Sequence, residues 1–277
     1  MTIFVSVREQ ATAGSVVDAQ VYEGFVNQPG MTWKDPTWLR LQVRGKDVLL
    51  ATHGFNVNQQ KGVNSLGRLG DRLAQSPSAE REFFIGVLWP GDWWIPAVNY
   101  PVEAGDAVDS GRRLAIFCNK FLVLARSLSF VSHSLGARVI LEAVKGLVPR
   151  ARVACITAAA ADYDCLDMQC EAARKNCDQI VNLASNKDNV LKYAYPAGDF
   201  LSDIFGDDDG PFHRALGLRG PKNPWSTNVE PHQIPADAGY GHGNYLPPSD
   251  PAATPGKWEE ASDFMVRAFR RERQTWP

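Results

Sequence analysis

The sequence predicts an α/β fold in which a mostly parallel central sheet is flanked by helices. Three observations carry that expectation. Apolar runs of strand length alternate with amphipathic helical stretches from Val48 to Ala184. Those runs are continuous rather than alternating, as strands covered on both faces require. One of them, Leu128–Val131, leads straight into a serine set between small residues, and a helical pattern begins immediately behind it. At 277 residues the chain is long enough for one extensive core. We expect a single domain over residues 1–277, in which 196–257 form an irregular region rich in proline and glycine.

Taken in order, Thr2–Val7 and Leu39–Val43 alternate in the manner of strands, so the first forty residues read as sheet edge and loop. Arg44–Asp47 is a turn before the central strand Val48–Thr52. Leu66–Leu73 has apolar residues at helical spacing, and a second buried strand, Phe83–Trp89, closes in Pro90-Gly91. From Ala104 to Ala125 apolar positions recur at three- and four-residue steps, counting Gly111 as small, which is the pattern of a long amphipathic helix. After the serine, Leu135, Val139, Ile140, Ala143 and Val144 share one helix face. Arg152–Thr157 and Gln179–Ala184 are further strands, separated by a helical stretch around Cys165–Lys175. Pro196–Lys257 shows little periodicity, and a last helix, Trp258–Arg271, carries Trp258, Ala261, Phe264, Met265, Ala268 and Phe269 on one face. Such alternation implies right-handed crossovers, with functional groups at the carboxyl ends of the strands.

Composition narrows the classes. The chain is 44% hydrophobic and 22% charged with net charge -2, which argues against a nucleic-acid partner attracted by bulk charge. Its first residues lack a basic leader pattern, and no uninterrupted apolar run approaches the ~18 residues of a membrane span. We therefore expect a cytoplasmic protein without stable membrane insertion; oligomeric state is left open. Five cysteines with no C-x-x-C pair suggest neither a disulfide framework nor structural zinc, and Cys165, Cys170 and Cys177 read as small buried hydrophobes. Asp207-Asp208-Asp209-Gly210 lacks the alternating ligands of a calcium loop and reads as a solvated turn. No metal site and no cofactor are expected.

The stretch Ser132-His133-Ser134-Leu135-Gly136 has the small-x-Ser-x-small pattern of a strand-to-helix turn so sharp that its central residue is strained. The plain alternative is a polar turn before a helix cap. A serine hydroxyl is a weak nucleophile and needs a base and an acid, in the order Ser, acid, His. Of the three histidines beyond Ser134, His242 lies in the glycine-flanked loop Gly239–Tyr245 just before the last helix, whereas His213 and His232 lie earlier in the irregular region. Asp188 follows the strand ending near Ala184 and is preferred as the acid, although it could serve only as a helix cap; Asp162 and Asp164 are the fallback. Developing negative charge on a substrate oxygen could be met by the N–H groups of Leu135 and of Phe55 in His53-Gly54-Phe55-Asn56. That second segment could equally be a strand-end turn with a buried histidine.

Together His53-Gly54-Phe55-Asn56, Leu88-Trp89-Pro90-Gly91, Tyr100 with its following helix, Ser132–Gly136, Ser185-Asn186-Lys187-Asp188 and Gly241-His242 resemble, in this order, a lipase/esterase-like branch of the α/β-hydrolase superfamily. The resemblance runs from about Val48 to the C-terminus; the region before Val48 and Phe200–Pro235 have no clear counterpart. It implies an α/β-hydrolase fold and cleavage of a small acyl ester by Ser134, His242 and Asp188 through an acyl-enzyme, with Phe55 and Leu135 as oxyanion donors. Trp89, Trp93, Trp94 and Tyr100 could wall a substrate pocket, or simply cover the core. Two alternatives stay open: a catalytically idle binding module, and an amidase or acyltransferase using the same three residues.

Overall fold

The structure, a computed structural model, describes residues 1–9, 15–75, 77–91, 100–194, 215–250, 252 and 256–276. The chain opens with strands β1 (Thr2–Arg8), β2 (Val16–Gly24) and β3 (Met31–Lys34) and a short helix α1 (Pro36–Gln42). Strict alternation follows: β4 (Asp47–Thr52), α2 (Gln59–Ala74), β5 (Glu82–Leu88), α3 (Tyr100–Phe121), β6 (Ser127–His133), α4 (Gly136–Lys145), β7 (Ala151–Thr157), α5 (Glu171–Lys175) and β8 (Cys177–Ala184). A turn of helix α6 (Leu216–Arg219), strand β9 (Val229–Gln233) and helix α7 (Trp258–Arg270) come last.

All these strands join one sheet in the order β3-β2-β1-β5-β4-β6-β7-β8-β9. The pairs β1–β2 and β2–β3 are antiparallel and every other pair is parallel. This is the mostly parallel α/β architecture that the alternating runs predict. From β4 the chain crosses by α2 to β5 on one side, then returns by α3 to β6 on the other side of β4. The strand order therefore reverses between β4 and β6, and their carboxyl ends flank the crevice where open α/β sheets bind ligands. Register keeps those ends level, with Thr52 opposite Ser132 and His133 opposite Thr157.

The first forty residues differ from expectation. Leu39–Val43 is not a strand, because Asp35 caps α1 by accepting the Thr37 N–H at 2.8 Å and Pro36 opens its first turn. Leu39 and Val43, four residues apart, are both fully buried while Leu41 between them is 56% exposed, so the period is helical. Nor is β1 an edge: it is buried throughout, between β2 and β5, and β3 forms the edge instead. The stretch around Cys165–Lys175 is regular helix only over Glu171–Lys175. Within the irregular region, β9 adds a strand containing Pro231, tolerated because β9 is the other edge.

Helices pack on both sheet faces. The α3–α4 contact turns on Gly111, where a Cβ would lie 2.6 Å from Val139 O and 2.7 Å from Glu142 Cβ. The closing helix buries Ala261, Phe264, Met265, Ala268 and Phe269 and is fastened by two forked ion pairs, Arg72 to Asp263 at 2.7 Å and Arg270 to Glu82 at 2.8 Å. Among the described residues no helix is long and apolar enough to cross a membrane. Because the methyl group has no space, Gly111→Ala is expected to push α3 off α4 and cost about 1–3 kcal/mol, read as a lower urea midpoint. An unchanged midpoint would show that the two helices can part freely.

Candidate active site

β6 ends at His133 and α4 begins at Gly136, which leaves two residues for the reversal. Ser134 takes it up with φ 56°, in the left-handed region that costs a residue with a Cβ about 1–3 kcal/mol. Three hydrogen bonds hold it there: its N–H donates to Thr157 O at 3.0 Å, and its carbonyl accepts from Ala137 N–H at 3.0 Å and Ala160 N–H at 3.2 Å. Gly136 must lack a side chain, since a Cβ would meet His53 O at 2.4 Å. Gly54 is equally confined, its Cβ falling 2.9 Å from both Ser134 Cβ and His133 Nδ1. Ser132, where a glycine is usual, is small enough to be fully buried. The turns after β4 and β6 thus pack against each other with no room for a side chain on either glycine.

The three residues chosen by order and spacing meet at this rim. His242 Nε2 lies 2.8 Å from Ser134 Oγ, and His242 Nδ1 lies 2.7 Å from Asp188 Oδ2. A carboxylate can only accept, so the proton is on Nδ1 and Nε2 is left to accept from the serine hydroxyl. Asp188 is completely buried, and its other oxygen, Oδ1, accepts the Leu191 N–H at 3.0 Å. It therefore caps the helical turn Val190–Ala194 and orients the imidazole at once, one oxygen to each task. The fallback acids are occupied elsewhere: Asp162 accepts from Gln169 Nε2 at 3.2 Å, and Asp164 pairs with Lys222 at 3.4 Å. His232 pairs with Glu230 and lies edge-on to Phe264, and His213 falls outside the described residues.

Several residues that sequence reasoning did not single out place the histidine loop. His133, inside the serine turn, donates Nε2–H to the carbonyl of His242 at 2.7 Å, with the two rings 4.8 Å apart. Ser185 Oγ donates to Tyr240 O at 2.8 Å, tying the loop to the segment that carries Asp188. Asn244 Oδ1 accepts the Gly241 N–H at 2.8 Å. Tyr240 OH contacts Lys257 O at 2.7 Å and Glu260 Oε2 at 2.6 Å, fixing the loop to the start of α7. Of the loop glycines, Gly239 is the one in the left-handed region, at φ 61°. The signal in the sequence was a polar residue one to three positions from each key group, a pattern too common in loops to stand out.

The remaining candidates divide. Leu135 N–H, at the positive end of α4, and Phe55 N–H donate to no protein acceptor among the described residues. The turn bearing Phe55 is set by Asn56 at φ 60°, a residue type that tolerates this conformation. His53 is buried and donates Nδ1–H to Gly54 O at 2.9 Å. Trp89 does not open onto a pocket: it is fully buried, stacked on His53, and donates its indole N–H to His53 O at 2.9 Å. Its size and this buried bond make it a support for the Gly54 turn. Trp93 and Trp94 lie outside the described residues, and Tyr100 is the first residue of α3.

A mostly parallel sheet bearing a serine on a left-handed strand-to-helix turn at its switch point defines an α/β hydrolase. The chain belongs to the family described as "Alpha/beta hydrolase of unknown function (DUF900)", whose model matches residues 34–199. That stretch contains Ser134 and Asp188; His242 lies beyond it. No curated protein matches the chain. Among solved structures it is similar to esterase PE8 (14% identity, 82% of this chain and 93% of that one, TM-score 0.45) and to Arabidopsis thaliana SOBER1 (11%, 82% and 98%, 0.48). It is also similar to esterase B from Lactobacillus rhamnosis (12%, 97% and 87%, 0.46).

Burial, reinforced by the neighbouring His242, pushes the His133 imidazole down to about 3 from 6.5. Between those values the unfolded chain binds a proton at this position that the folded chain refuses, so stability falls as pH drops through that window. In His133→Gln, whose amide can still donate to His242 O, this part of the acid sensitivity should vanish. Urea unfolding at several pH values would show a shallower acid slope for the variant; equal slopes would mean that His133 protonates freely in the fold.

Proposed function

We propose that the protein is a serine hydrolase that cleaves a small carboxylic ester in two steps. The supporting observation is the continuous chain from Ser134 Oγ through His242 to the buried Asp188. Ser134 attacks the ester carbonyl while His242 Nε2 takes its proton, and Asp188 stabilises the imidazolium that results. The carbonyl oxygen, now negative, is received by the N–H groups of Leu135 and Phe55, each such donor being worth on the order of 10²–10³ in turnover. His242 passes its proton to the leaving alcohol and then draws one from water, which frees the acyl group from Ser134. The scheme uses neither metal nor organic cofactor, and it assigns the protein a small acyl ester in the cytoplasm, with no nucleic-acid partner. An idle binding module finds less support, because such a relic has no reason to keep all three side chains in hydrogen-bonding register.

A fluorophosphonate should form one adduct on the folded protein, located by mass spectrometry at Ser134, and Ser134→Ala should neither label nor hydrolyse p-nitrophenyl esters. A folded parent that stays unlabelled, or a variant as active as the parent, would sink the scheme. Asp188→Asn tests the acid separately. Its carbonyl oxygen can still accept from Leu191 N–H, which turns the amide N–H₂ toward His242 Nδ1 and forces the proton onto Nε2, where no base remains. We expect kcat to drop on the order of 10⁴-fold with the thermal midpoint nearly kept, as measured by steady-state hydrolysis beside a melt.

A further inference from the structure

The loop that carries His242 is entered through the helical turn Ala236–Ala238, which ends at Gly239. Carbonyls at the end of such a turn have no partner within it and need a donor from elsewhere. Among the described residues one side chain supplies it: Lys257 Nζ donates to Ala238 O at 2.5 Å and to Gly239 O at 2.7 Å. The same ammonium lies 5.4 Å from the centre of the Tyr240 ring, and the carbonyl of Lys257 is the one that accepts the Tyr240 hydroxyl. Lys257 therefore grips three consecutive residues, Ala238, Gly239 and Tyr240, from the N-cap of α7. An ionised donor makes stronger bonds to carbonyls than a neutral one, and an ammonium has protons enough for both.

Given the proposed ester hydrolysis, on which this rests, we infer that Lys257 is a positioning residue for His242, acting through the Ala238–Tyr240 segment. Its ammonium bonds to that segment and not to Ser134, Asp188 or the His242 ring. Three residues take the chain from Gly239 to His242, a reach of at most about 10 Å, so a shift at one end is passed to the other with little slack. Gly239 and Gly241 lend the stretch no stiffness of their own, and its path is set by what holds it. Without the ammonium the ascending segment is loosened, while Ser134, Asp188 and the oxyanion donors stay where they are. Proton transfer needs Nε2 within hydrogen-bond reach of Oγ, so the cost falls on turnover and not on substrate binding.

The test is Lys257→Met in the full chain, which removes the ammonium but leaves the backbone carbonyl that Tyr240 uses. Tyr240 stays buried, with Trp276 edge-on at 5.0 Å, and the substituted side chain is exposed, so the fold does not depend on it. On p-nitrophenyl esters kcat should fall by about tenfold or more, toward the order of 10² that a 1 Å misplacement costs, with KM unchanged. Lys257→Arg, whose guanidinium can donate to both carbonyls, should recover most of the turnover. Hydrogen–deuterium exchange read by mass spectrometry should be faster over residues 238–245 in Lys257→Met and equal to the parent around Ser134. An unchanged kcat in Lys257→Met, a loss that appears in KM instead, or a Lys257→Arg variant as slow as Lys257→Met would each overturn the assignment. A parent that neither labels at Ser134 nor hydrolyses esters defeats the hydrolase reading instead; exchange then decides the clamp alone, and equal rates over 238–245 overturn it.

Discussion

The left-handed backbone of Ser134 is the constraint on which the site rests. With φ at 56° it costs about 1–3 kcal/mol, and three backbone hydrogen bonds of about 1 kcal/mol each are of the right size to offset it. One of these reaches sideways to β7 and another to Ala160 beyond it, so the strain at β6 is borne by the neighbouring strand end. Gly54 and Gly136 complete the arrangement by leaving out side chains where a methyl group would strike backbone or the serine itself. The serine hydroxyl is presented because the chain around it has nowhere else to go.

From that fixed point the rest follows by register. Parallel pairing sets the ends of β4, β6, β7 and β8 at one level, so the turns that follow them share a single rim. Asp188 enters from the segment after β8, and its burial commits both oxygens, one to Leu191 and one to His242. A fully buried carboxylate with both oxygens engaged cannot wander, which makes it a rigid reference for the imidazole. The histidine loop is then tied down on three sides, by His133 from the serine turn, by Ser185 from the acid segment and by α7 through Tyr240.

Much of this was legible in the residues. Continuous apolar runs marked β4 to β8, and the three- and four-residue steps marked α3, because buried strands and amphipathic helices leave periods that burial imposes directly. Order along the chain was enough to select Ser134, Asp188 and His242, whose side chains the structure brings into hydrogen-bonding contact. The losses have physical causes. β2 and β3 are partly exposed and antiparallel, so they lack a continuous apolar signature, and in β9 Val229 is followed by polar residues and a proline that an edge permits. Leu39 and Val43 suit either period until Asp35 and Pro36 are weighed as a helix start. Trp89 drew attention by its size, yet its indole nitrogen found a buried carbonyl, and large aromatics are as apt to close a core as to wall a pocket.

The attachment of the histidine loop to α7 has a bearing on synthesis. A ribosome delivers this chain from its amino end, so strands β4 to β8 can settle, with Ser134 and Asp188 in place, while the final helix is still being made. Until Trp258–Arg270 folds down and Tyr240 finds Lys257 and Glu260, one of the three ties on the histidine loop is missing, and only those to His133 and Ser185 can form. The nascent polypeptide therefore holds His242 opposite Ser134 less firmly than the finished one, and the last segment to be made completes the clamp.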